Sequence, residues 1–141
     1  MKKTSDYFKL YLATLIAFFA IDMLWLGLVA RTFYQKYLGF LLAPKTNWIA
    51  ALIFYLLFIM GILVFVVLPG LKEDSLKNTL LRAALFGLIT YATYDLTNLA
   101  TMKDWPLLVT VVDLAWGTVL SLAVSTIGFL VGKQINTGRK T

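Results

Sequence analysis

The chain has 141 residues, of which 60% are hydrophobic and 14% charged, with a formal net charge of +6 and a mean hydropathy of +0.82. A soluble domain is normally about half apolar and a quarter charged, so this composition points to the bilayer. The absence of cysteine and histidine excludes disulfides, thiolate nucleophiles, haem ligation by His and the usual zinc sites.

Four runs nearly free of charge, about 8–30, 48–68, 80–101 and 105–131, approach or exceed the roughly 20 residues a helix needs to cross a bilayer. The expected fold is an all-α integral membrane protein, a bundle of four transmembrane helices forming one domain over 1–141. Lys2 and Lys3 give the first run the look of a secretory signal. It is too long for a signal core, no small-x-small cleavage pattern follows it, and it contains Asp22, so a retained helix is expected. That helix should end near Arg31. The segment RTFYQKYLGFLLAPK (31–45) then sets Phe33, Tyr34, Tyr37 and Phe40 among Arg31, Gln35 and Lys36, a pattern suited to lying in the membrane interface.

The second run is apolar nearly all round, with Tyr55 its main polar group, and should face lipid most. Pro69-Gly70 reads as its stop, followed by the short charged loop LKEDSLKN. The third and fourth runs meet in a tight turn at MKDWP, which makes them antiparallel neighbours. Asp104 is expected to cap the fourth helix, with Pro106 in its first turn. Gly117, Ser121, Ser125, Gly128 and Gly132 form a stripe of small residues on that helix, best read as a packing seam. The polar tail KQINTGRKT is expected to fray.

With four spans, the termini and the middle loop share one side. Lys2, Lys3, Lys9, Lys72, Lys77, Arg82, Lys133, Arg139 and Lys140 lie there, against Arg31, Lys36, Lys45 and Lys103 opposite. The bias predicts cytoplasmic termini, and it accounts for the basic charge as a topology signal with some attraction to anionic lipid. No nucleic-acid partner is expected.

Three carboxylates then fall at one depth. Asp95 stands nine residues before Asp104 and Asp113 nine residues after it, so an antiparallel hairpin sets them level. Asp22 stands nine residues before Arg31. At 1.5 Å per residue, all three lie about 12–14 Å below the outer helix ends. D-x-x-W recurs as Asp22/Trp25 and Asp113/Trp116, and Tyr91, Asp95 and Asn98 follow helical spacing. Such acids are costly in lipid and turn to the bundle interior. Three together cannot all be ionised without compensation. Either protons are shared among them or a cation sits there; the residues permit a divalent cation but do not lead us to expect one, and no other cofactor is indicated.

Three readings compete. Asp22, Asp95 and Asp113 could act as acid–base groups on a lipid- or isoprenoid-like ligand bound by Trp25, Tyr91, Asn98 and Trp116. Against this, no known catalytic motif and no D-D-x-x-D diphosphate site is present. Alternatively, the acids could mark a proton- or cation-coupled transporter, which at four helices would require a homodimer. Finally, they could form a purely structural hydrogen-bond network in an accessory subunit.

The stretches IDMLWLGLVARTFYQKYLG and YATYDLTNLATMKDWPLLVTVVDLAWGTVLS resemble a family of small bacterial membrane proteins known as domain of unknown function 2177. The matching positions are Asp22, Trp25, Gly27, Asp95, Thr97, Asn98, Asp113, Trp116 and Gly117. The resemblance implies a bacterial inner-membrane protein of this fold and carries no activity with it.

Overall fold

The computed structural model describes residues 3–138. It contains four helices: α1, Thr4–Leu38; α2, Trp48–Glu73; α3, Leu76–Thr101; and α4, Leu107–Thr137. There is no strand among the described residues. Helices α1, α2 and α4 are each long and apolar enough to cross a membrane; α3 is the fourth helix, packed along α4. This is the architecture of a helical membrane protein.

Capping sets two of the helix starts. The Asn47 side chain accepts from the Ala50 N–H at 3.1 Å and begins α2. Ser75 Oγ accepts from the Asn78 N–H at 3.2 Å and begins α3 earlier than its apolar run does. At the other turn, Asp104 is not the cap of α4. It adopts φ 60°, while Pro106 occupies the cap position without a side-chain bond. The turn between α3 and α4 needs one left-handed residue, a role Asp fills more readily than most. α4 itself runs on to Thr137, through most of the tail expected to fray; 139–141 lie outside the described residues.

Two wide, π-helical turns lengthen α1 and α2 beyond the sequence expectation. Leu63–Val67 is π-helical, with the Leu68 N–H reaching back to the Leu63 carbonyl. Pro69 follows at once, so it does not end α2, which continues to Glu73. A proline clashes with the carbonyl four residues back, and a wide turn at that point moves the carbonyl aside. Leu26–Ala30 is a second wide turn, in α1 and without a proline behind it, with the Arg31 N–H on the Leu26 carbonyl. The helix therefore carries on through Arg31–Leu38, where an interfacial segment over 31–45 was expected. Phe33, Tyr34 and Tyr37 pack against a small core of Leu38, Trp105 and Val109, over the α3–α4 turn. Trp105 is thus buried rather than a membrane anchor, its indole donating to Thr110 at 3.1 Å. Trp48, by contrast, is 74% exposed, as an anchor would be.

α4 is the centre of the bundle and touches all three other helices. Its small-residue stripe is the packing seam the sequence suggested: Gly117, Ser121, Ser125, Gly128 and Gly132 are all buried. A Cβ at Gly87 of α3 would collide with the Gly117 carbonyl and lie 2.7 Å from Ser121 Oγ. One at Gly132 would collide with Leu71 of α2, and one at Gly128 would press on Thr14 of α1 at 3.1 Å. Without such residues helix backbones cannot approach this closely in lipid. α2 packs on α1 through Trp48–Ile62 and on α3 and α4 through Leu63–Glu73. Arg82 pairs with Glu73 at 2.6 Å and Lys133 with Asp74, tying that end of the bundle together.

Candidate functional site

The three acids converge, at the end of the bundle nearer Trp105. Asp95 is fully buried, Asp22 is 7% exposed and Asp113 is 8% exposed. Tyr91 of α3 stands within electrostatic reach of all three. Its ring fits there because residue 117 has no side chain; a Cβ at Gly117 would run into it. The level set by the Asp104 turn is thus realised in the structure, with α1, α3 and α4 contributing one carboxylate each.

Their surroundings differ. Asp22 accepts from the Tyr55 hydroxyl at 3.4 Å, and the Trp116 indole turns towards it. Asp113 accepts a short hydrogen bond from the Tyr34 hydroxyl. Asp95 receives no donor on either oxygen. Its polar neighbour is the Asp113 carboxyl, another acceptor unless a proton lies between them. The two D-x-x-W pairs meet face to face: Trp25 and Trp116 stack with centroids 4.3 Å apart and planes 9° from parallel.

Tyr34 and Tyr55 are the residues that sequence reasoning left out of the site. The sequence placed Tyr34 in an interfacial segment and Tyr55 on the helix expected to face lipid most. Tyr34 lies twelve residues beyond Asp22. On a regular α-helix, at about 100° per residue, this is about 120° around the axis from Asp22. The wide turn Leu26–Ala30 takes up about one residue and returns Tyr34 to within about 20° of that face. A π-turn has no sequence signature to speak of, so periodicity alone could not have found Tyr34.

Two cavities adjoin the acids. One of about 380 Å³ is lined by Phe54, Phe58, Thr90, Tyr91, Tyr94, Asp95 and Asp113. It lies between the first half of α2, which packs on α1 and touches α3 through Phe58, and α3; Phe54 and Tyr94 are its exposed lining residues, at 49% and 60%. The other, about 180 Å³, includes Asp22, Trp25, Tyr34, Tyr55 and Trp116 in its lining; Phe54 and Tyr91 belong to both. Asn98 is half-buried and lines neither. Arg31 and Lys103 are exposed, and the ion pairs among the described residues lie at the far end of the bundle. Among the described residues no three acidic side chains converge as metal ligands do.

Over residues 7–130 the chain matches the family described as "Predicted membrane protein (DUF2177)". The chain belongs to this family. No curated protein and no solved structure matches it. The span matched to DUF2177 contains the three acids, both stacked tryptophans and both tyrosine donors, so the whole site lies inside the family's boundaries.

Proposed function

We propose that this DUF2177 protein is a lipid-handling protein of the bacterial inner membrane, crossing it four times with both termini cytoplasmic. Its ligand is a lipid- or isoprenoid-like molecule taken from the outer leaflet through the opening between α2 and α3. The orientation follows from the Lys and Arg bias towards the termini and the middle loop. α3 carries more polar residues than the others, but it is 26 residues long, enough to span, and the hydroxyls of its exposed Thr93, Thr97 and Thr101 donate back to carbonyls of the same helix.

Asp95 carries the reading. Hydrogen bonds from tyrosine give Asp22 and Asp113 a role in holding the bundle together, and a structural network would explain those two. It does not explain Asp95, a buried carboxyl with no donor on the wall of an aromatic cavity. A buried acid whose one polar partner is a second acid is expensive, and such groups mark functional sites in membranes. The cavity size is within the range of small-molecule pockets, and its exposed lining residues, Phe54 and Tyr94, stand within α2 and α3 rather than at a helix end. A transport path would have to continue past Gly117, where α3 and α4 pack backbone to backbone. That close packing favours a site reached from lipid over a conduit.

The reading is tested by lipid profiling of a host lacking the gene. Complementation with the unaltered gene should restore the profile, and complementation with Asp95→Asn should not. An unchanged profile in the deletion strain, or full restoration by Asp95→Asn, would refute it.

A further inference from the structure

The cavity's own deficit identifies the polar end of its ligand. Asp95 and Asp113 face each other: Tyr34 gives Asp113 a phenolic donor, and Asp95 meets Asp113 only through a proton held between the two carboxyls. No basic side chain lines the cavity. A phosphate or carboxylate headgroup would add a third acceptor of the same sign to this pair, and like charges at short range in a poorly hydrated site repel strongly. The missing partner is therefore a donor. The rest of the lining is mostly aromatic: Phe54, Phe58, Tyr91 and Tyr94 share the space with the acids. Aromatic faces attract a cation through their quadrupole, more so when water is excluded. A neutral hydroxyl would supply one donor bond to Asp95 but would gain nothing from the rings and neutralise neither carboxylate.

We infer that the cavity takes an amphiphile whose head is an ammonium group and whose body is apolar, the ammonium seated on Asp95 and Asp113 and the body leaving between Phe54 and Tyr94. The inference rests on the lipid-handling reading and narrows its ligand class.

Three probes with one apolar body separate the alternatives: dodecylammonium, dodecanol and dodecyl phosphate, titrated into the full-length protein in neutral detergent. Dodecylammonium should bind at least about tenfold more tightly than dodecanol, with dodecyl phosphate weakest. Asp95→Asn should weaken dodecylammonium by at least about tenfold and leave dodecanol within about threefold, with the helical signal unchanged. Equal binding of all three probes, or an ammonium affinity untouched in Asp95→Asn, would overturn the ammonium preference while leaving a lipid site standing. Binding of none would overturn the lipid-handling reading as well. The ranking on the unaltered protein decides the preference even where the variant fails to fold. Native mass spectrometry from nanodiscs of mixed phosphatidylethanolamine and phosphatidylglycerol then identifies the source. Ethanolamine lipid retained by the protein and lost in Asp95→Asn makes the bilayer the source; none retained, with dodecylammonium still bound, makes it a water-borne amine.

Discussion

At Asp95 a fully buried carboxyl faces a second carboxyl and receives no donor, whereas Asp113 beside it takes a hydrogen bond from Tyr34. The two positions should respond oppositely to conservative change. Asp95→Asn keeps the shape, removes a buried charge and supplies an amide that can donate to Asp113. It is expected to raise stability by about 1–2 kcal/mol. Tyr34→Phe removes the phenolic donor on Asp113 and is expected to lower stability by about 1.5–3 kcal/mol. Thermal melts of both variants in one detergent check the pair. A residue whose removal stabilises the fold is retained for some other reason, which is the usual trade between stability and activity. A lower melting temperature for Asp95→Asn would make it an ordinary member of the structural network.

Among the elements, the glycines separate positions that the helices need from those they merely tolerate. Gly87 sits where a Cβ would strike the Gly117 backbone and Ser121, neither of which can rotate away. Gly87→Ala should force α3 off α4 and cost about 1–3 kcal/mol. Gly27 has nothing within 4 Å of an added Cβ. Gly27→Ala should be neutral or stabilise by up to about 1 kcal/mol through helix propensity. Melting both variants checks the contrast, and similar losses would refute it. Much of this level was legible beforehand. Four charge-poor runs gave the helices, the small-residue stripe gave the seam, and nine residues on either side of Asp104 gave the level of Asp95 and Asp113. The two wide turns were not legible. Each arises from a backbone choice that many apolar sequences would permit, so the run of α2 past Pro69 and the return of Tyr34 to the acid face stayed hidden.

The molecule as a whole is closed at one end and parted at the other. Near Asp74, the close Gly70–Thr79 and Leu71–Gly132 contacts bring α2 against α3 and α4. Towards Trp48, α2 leans on α1 and meets α3 through Phe58, with the cavity beside the acids next to that contact. If the ligand comes from lipid, it has to pass this gap, so joining its two lips should exclude it. The chain has no native cysteine, which makes the experiment clean. A Phe54→Cys/Tyr94→Cys protein, bridged by a short cleavable bis-maleimide, should lose lipid capture relative to the same protein unbridged. Cleaving the linker should restore it. The matching bridge at the closed end, Asp74→Cys/Lys133→Cys, replaces an exposed ion pair of little energetic weight and should leave capture intact. Native mass spectrometry of retained lipid reads all four states. Capture that survives the Phe54–Tyr94 bridge would mean that the ligand enters elsewhere; capture lost only with that bridge would make the α2–α3 gap its route.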